Sequence, residues 1–241
     1  MATQSAPVLV TRPRAEAERF AADLAARFGE RVRPVISPLL APRFLAPIIP
    51  DRSYDAVVFT SAQAVLAARE LHVALPERAW CVGHKTAQVA AGAGFQARSA
   101  DGDAEALANA IASDLPNGRI LYLRGVDTRG NLWEKLDSFG VDTDVAIVYE
   151  QVAQPLSAEA IGLLNSPGDL IVPLFSPRTA LLFSAALPSD FPARLHLAAM
   201  SDAVAQPLHD LHPATLAIAR HPDAPAMLDA VESLLVGRTV P

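Results

Sequence analysis

Two separated stretches of this chain repeat two others, and that duplication limits the folds open to it. Residues 120–140 (ILYLRGVDTRGNLWEKLDSFG) echo residues 8–29 (VLVTRPRAEAERFAADLAARFG). In each, an apolar strand ends in an arginine, Arg124 or Arg12, and a helix follows that closes on Phe-Gly, with a one-residue slip between the copies. Residues 169–181 (DLIVPLFSPRTAL) likewise echo 55–65 (DAVVFTSAQAV), Phe175-Ser176 and Ala180 answering Phe59-Thr60 and Ala64. The correspondence continues: Val82-Gly83-x-x-Thr86-Ala87 aligns with Met200-Ser201-x-x-Val204-Ala205, and 103–111 with 224–232, Leu107 opposite Leu228. A chain that carries one strand–helix module twice is expected to fold as two similar α/β units.

The order of the modules predicts how those units are cut from the chain. Short apolar strands at 56–60, 79–82, 95–98 and 119–123 alternate with amphipathic helices, and the rhythm resumes with strands at 170–175, 195–199 and 214–219. Such alternation predicts parallel sheets covered by helices on both faces. Four consecutive units lie between 40 and 144, but only three follow 155. The N-terminal unit supplies the fourth: Ala17, Phe20, Ala21, Leu24 and Phe28 recur at helical spacing and Gly29 caps the end. The expected fold is therefore two α/β domains, the first discontinuous (1–33 with 155–241) and the second (40–144) inserted into it.

Two stretches are left to carry the chain across. Val32–Pro50 has prolines at 34, 38, 42, 47 and 50, which rule out a helix and suit an edge strand. Asp144–Val152 is rich in β-branched residues and lacks helical periodicity, so it reads as a strand. Pairing of 34–39 with 145–154 is the expected β-ladder joining the domains. Between two halves linked in this way a cleft is expected, and Tyr149 lies on one of the crossings.

Composition works mainly by exclusion. At 51% apolar and 19% charged residues, the 241-residue chain can fill two small cores. A single cysteine, Cys81, makes no internal disulfide and fits a reducing compartment. Met1–Pro7 has neither a basic nor an apolar signal region, and no apolar run is long enough for a membrane span, so a cytoplasmic setting is expected. The net charge of −6 argues against nucleic acid as a partner.

Ligands of open parallel sheets bind beyond the carboxyl ends of the strands, where helix N-termini offer free N–H groups. The loops there are Thr11-Arg12-Pro13-Arg14, Thr60-Ser61-Ala62-Gln63, Gly83-His84-Lys85-Thr86, Arg124-Gly125-Val126, Ser176-Pro177-Arg178 and Ser201-Asp202. Their hydroxyls, cations and amides suit a polycarboxylate or phosphate ligand, although a serine or threonine ahead of a helix also serves as an N-cap. Metal-ligand spacing, a Ser-His-Asp pattern and a Gly-rich phosphate loop are all missing from the sequence.

The ordered set VLVTRP (8–13), DAVVFTSAQAV (55–65), CVGHKTA (81–87), ILYLRG (120–125) with Arg129, VAIVYE (145–150), LFSPRTA (174–180) and AAMSDAVAQPL (198–208) resembles the uroporphyrinogen-III synthase family over nearly the whole chain. The resemblance implies conversion of hydroxymethylbilane to uroporphyrinogen III by dehydration and ring closure with ring D inverted, without metal or organic cofactor. It implies Tyr149 as the group that protonates or orients the leaving hydroxyl. Substrate contacts are implied at Arg12, Arg14, Thr60, Ser61, Gly83, Thr86, Arg124, Gly125, Arg129, Ser176 and Ser201. The chain is expected to act as a monomer on this small molecule, with a transient hand-over from the upstream deaminase, and without nucleic acid or membrane. Two departures stand out: Ala203-Val204 where some members carry threonines, and His212 where the repeat with Gly94 expects glycine. The lost threonines leave open a non-catalytic tetrapyrrole- or anion-binding regulatory paralogue. A hinged binding protein of periplasmic type is a second rival, opposed by the missing signal region.

Overall fold

The computed structural model of the chain describes residues 5–71, 73–127 and 130–236. It divides into two compact units: residues up to Ala41 together with those from Ala153 onward, and Pro42–Val152. Each is a twisted sheet with helices on both faces.

The first unit holds β1 (Ala6–Val10), α1 (Arg14–Phe28) and β2 (Val32–Ile36), then α6 (Ala158–Leu164), β9 (Gly168–Leu174), α7 (Pro177–Ala186), β10 (Ala193–Ala199), α8 (Asp202–Ala205), β11 (Thr215–Ile218) and α9 (Ala224–Val236). Its sheet runs β11-β10-β9-β1-β2, with parallel pairings throughout. Alternate strand residues feed two cores. Val8 and Val10 join Phe20, Leu24 and Phe28 of α1 and Met227 and Val231 of α9. Leu9, Val172 and Leu174 join α6, α7 and α8 through Ala160, Phe183 and Val204.

The second unit begins within β3 (Leu40–Phe44) and continues through β4 (Ala56–Phe59), α2 (Ala62–Ala68), β5 (Arg78–Cys81), α3 (His84–Gly92), β6 (Gln96–Ser99), α4 (Ala104–Asp114), β7 (Arg119–Gly125), α5 (Leu132–Ser138) and β8 (Asp142–Ala153). The order is β3-β8-β7-β4-β5-β6. Without β3, this is the first sheet's order again: β6-β5-β4-β7-β8 matches β11-β10-β9-β1-β2 strand for strand, as the sequence echoes require. Helices α2 and α3 cover one face through Ala64, Val65 and Ala90, while α4 and α5 cover the other through Leu107, Ile111, Leu132 and Leu136.

The Pro-rich segment behaves differently from the expected ladder at 34–39. Residues 32–36 instead form β2, which pairs in parallel with β1, Val8 opposite Pro34. The antiparallel partner of β8 lies further on. The Gln154 N–H donates to the Leu39 carbonyl at 3.0 Å and the Leu45 N–H to the Val148 carbonyl at 2.8 Å, so one strand descends as the other ascends. Both β2 and β3 are sheet edges. Proline lacks an N–H to donate and is tolerated there, which places Pro34 and Pro42 but does not say which edge each belongs to. Helix α6 has no counterpart in the sequence reading; Ser157 starts it, its hydroxyl accepting the Ala160 N–H at 3.2 Å.

His212 takes the left-handed conformation (φ 47°), as its repeat counterpart Gly94 does (φ 96°). The departure from glycine thus keeps the turn at the expense of a conformation that side chains disfavour. Cys81 is fully buried at the end of β5, and burial pushes its thiol up to about 11. The native chain is therefore expected to resist a thiol reagent near neutral pH and react only once denatured. Immediate colour development with an aromatic disulfide would place the thiol at the surface.

Candidate active site

The order β8-β7-β4-β5 sets the carboxyl ends of four strands side by side. The ends of β7, β4 and β5 carry Arg124–Gly125, Thr60–Ser61 and Gly83, and Tyr149 of β8 lies level with them, paired with Gly125, inside a strand that runs on to Ala153. Five of the expected residues in this unit thereby share one edge with Tyr149, and Thr86 follows in the first turn of α3, its side chain buried.

Tyr149 reaches its position through an irregularity. Along β7 and β8 the pairs are Leu123↔Ala146 and Arg124↔Ile147, but Gly125 pairs with Tyr149, leaving Val148 as an extra residue. Strict alternation puts Ala146 and Val148 on one face and Tyr149 on the other. The bulge reverses the phase, so Val148 and Tyr149 both enter the core under α2 and α3. The Val126 N–H closes the bulge on the Tyr149 carbonyl at 2.9 Å. Gly125 makes room for the ring: a Cβ there would lie 2.6 Å from Tyr149 Cζ. The phenol oxygen accepts a hydrogen bond from the Ser61 hydroxyl at 2.9 Å.

On the opposite face, Thr60 Oγ1 lies 3.2 Å from the hydroxyl of Tyr122. Tyr122 is absent from the sequence reading, although its spacing two residues before Arg124 puts both on one face of β7. Burial raises its phenol pKa, against a lowering by the Thr60 hydroxyl and the Arg124 charge. A cavity of about 450 Å³ opens beside it, lined by Arg124, Asn131, Trp133, Asp144 and Val145 among others. The Arg124 guanidinium also makes a long contact, 3.3 Å, to the Gly125 carbonyl.

Ser61 is the N-cap of α2, accepting the Ala64 N–H at 3.2 Å. Gly83 caps α3 with extended backbone and open space where a side chain would stand. The first amides of a helix have no intrahelical partner and can face an anion.

The first unit builds an analogous row on β10, β9 and β1: Ser201, Ser176 and Arg12. Ser176 caps α7, its hydroxyl accepting the Thr179 N–H at 3.2 Å and lying 2.7 Å from Thr179 Oγ1. The Arg12 guanidinium stacks 4.0 Å from the centre of the Phe175 ring, and burial lowers its pKa, opposed by Glu16 and aided by Arg19. Arg14 is exposed and pairs with Glu18 at 3.5 Å, one helical turn on. The Ser201 carbonyl accepts the N–H groups of Val204 and Ala205, both at 3.0 Å, while its hydroxyl accepts no capping hydrogen bond from α8. Arg129 lies outside the described residues. Among the described residues no cluster of three His, Cys, Asp or Glu side chains could hold a metal ion, and no helix is long and apolar enough to cross a membrane.

Residues 18–229 match a family model described as uroporphyrinogen-III synthase HemD. No curated protein matches the chain. Among solved structures, the uroporphyrinogen-III synthetase of Helicobacter pylori aligns over 95% of this chain and 99% of its own, at 17% identity and a TM-score of 0.60, and so shares the fold. A mutant uroporphyrinogen III synthase of Thermus thermophilus aligns over 97% of this chain and 100% of its own, at 18% identity and a TM-score of 0.42.

Proposed function

Since this chain belongs to the uroporphyrinogen-III synthase family and serves tetrapyrrole biosynthesis, we propose that it acts as a hydro-lyase with Tyr149 as the donor to the departing hydroxyl. In this reading hydroxymethylbilane loses its terminal hydroxyl as water, leaving an azafulvenium cation. The substituted α-carbon of ring D attacks that cation to give a spiro intermediate, which fragments and re-closes with ring D inverted. Every atom of the product comes from the substrate, and the protein has two tasks.

The first is to ease departure of the hydroxyl. A hydrogen bond from a phenol strengthens as negative charge builds on the leaving oxygen, so it stabilises the transition state more than the bound substrate. The observation that carries the proposal is the confinement of Tyr149, whose ring fills the space left by Gly125 and whose oxygen is held by Ser61.

The second task is geometric. The linear tetrapyrrole also closes unaided, without inversion, so the enzyme's gain lies in holding one arrangement of the ends. The side-chain carboxylates supply the handles. The opening amides of α3, with Thr60, Thr86, Ser176, Ser201, Arg12, Arg14, Arg124 and Arg129, are the groups we assign to them. Charge-assisted bonds of this kind are the stronger ones. An acidic protein accommodates this ligand because screening over about 8–10 Å confines the outer acids' repulsion. We further infer a monomer working in the cytoplasm that takes its substrate from the preceding deaminase. Neither the fold nor the comparisons favour the non-catalytic alternative.

The deciding test is incubation of the chain with freshly generated hydroxymethylbilane, followed by chromatographic separation of the oxidised isomers. The inverted type III isomer is expected in excess. Formation of the uninverted isomer alone, at the rate seen without protein, would remove the activity.

A further inference from the structure

The Ser61 hydroxyl is used twice. As an N-cap it needs only its oxygen, which accepts the Ala64 N–H at 3.2 Å. Its proton is left over, and that proton points at the phenol oxygen of Tyr149, 2.9 Å away. A phenol oxygen has two favourable positions in the plane of its ring. With Ser61 donating into one, the phenol's own proton takes the other. The result is a directed chain, Ala64 N–H to Ser61 O–H to Tyr149 O–H, in which each bond polarises the next. The ring cannot swing to escape it, because the β-bulge fixes its backbone and Gly125 leaves no slack behind it.

We propose that Ser61 is a positioning residue: it aims and polarises the Tyr149 hydroxyl through that hydrogen bond, and does not touch the substrate with its side chain. This rests on the reading of Tyr149 as the donor to the departing hydroxyl. It replaces the expected substrate-contact role of the Ser61 side chain with an action exerted through the tyrosine.

The test compares kcat and KM for Ser61→Ala, Ser61→Thr, Tyr149→Phe and the double variant Ser61→Ala/Tyr149→Phe, with melting temperatures alongside. Ser61→Ala is expected to lower kcat about tenfold, the worth of one ordinary hydrogen bond, with KM unchanged. Ser61→Thr keeps both halves of the hydroxyl and should restore the rate. In the Tyr149→Phe background the Ser61→Ala change should cost nothing more, because the oxygen it acts on has gone. Should Ser61→Ala fail to fold for want of its cap, Ser61→Asp takes its place. Aspartate caps the helix equally well but accepts where serine donates, so it should draw the phenol proton away and slow turnover at least as much.

The outcomes separate the two claims. A Tyr149→Phe enzyme at normal speed removes the donor reading and this proposal together. A slow Tyr149→Phe enzyme beside a full-speed Ser61→Ala one leaves the donor in place and removes only the positioning role. A loss in KM alone, equal losses from Ser61→Ala in both backgrounds, or a Ser61→Ala enzyme slower than Tyr149→Phe would make Ser61 a direct substrate contact and overturn the proposal.

Discussion

Tyr149→Phe is expected to lower kcat about 100-fold, about 2.7 kcal/mol of transition-state stabilisation, while KM stays nearly constant. The hydroxyl's contact strengthens only as the C–O bond breaks, so its removal belongs in turnover and not in ground-state affinity. The fold should barely respond. Phenylalanine keeps the ring that lies against Gly125 and packs with Val148 and Leu123, and what is lost is one hydrogen bond from Ser61, about 1 kcal/mol. Steady-state kinetics with a melting curve measure both quantities. A variant with at least half the normal rate would reduce Tyr149 to a packing residue and leave substrate folding as the whole of catalysis.

Gly125→Ala is expected to do comparable damage by a different route. The new methyl group would stand 2.6 Å from Cζ and 2.9 Å from the hydroxyl oxygen of Tyr149, distances at which something must move. The tyrosine is itself buried and fixed through its backbone to Val126, so the strain is shared between ring and strand. Overpacking of this kind costs about 1–3 kcal/mol of stability. A displacement of about 1 Å at a reacting group can cost about 100-fold in rate. The two effects separate in a second variant. Gly125→Ala/Tyr149→Leu relieves the clash while filling more of the ring's place than a smaller residue would, and should recover part of the melting temperature without recovering turnover. If Gly125→Ala alone kept normal rate and stability, the tyrosine would have to be free to move, and its confinement would not matter to the chemistry.

These two residues also mark where sequence stops being a guide. The repeated strand–helix modules are legible because apolar periodicity and strand-end residues are local properties, and the strand orders follow the echoes between 8–29 and 120–140 and between 55–65 and 169–181. The phase of Tyr149 is not legible. Alternation from Ala146 and Val148 puts its side chain on the wrong face, and only pairing with β7 creates the bulge that turns it. Tyr122 is missed for a similar reason: its hydroxyl matters because β4 brings Thr60 beside it. The prolines of 32–50 report edges correctly, yet an edge of either sheet satisfies them, so the ladder is misplaced by several residues. Helix α6 is short and starts from a lone serine, too weak a signal against the strand that follows.

The discontinuity of the first unit has a consequence for how the protein is made. Val8 in β1 pairs with Ile171 in β9, about 160 residues further along the chain. On a ribosome adding about 5–20 residues per second, β1, α1 and β2 wait roughly 10–30 seconds for that partner. During the wait Phe20, Leu24 and Phe28 have no α9 to cover them, while Pro42–Val152 emerges as one uninterrupted stretch able to fold at once. The nascent N-terminal segment is thus an apolar surface held open until β9 and α9 emerge, a natural client for a holding chaperone.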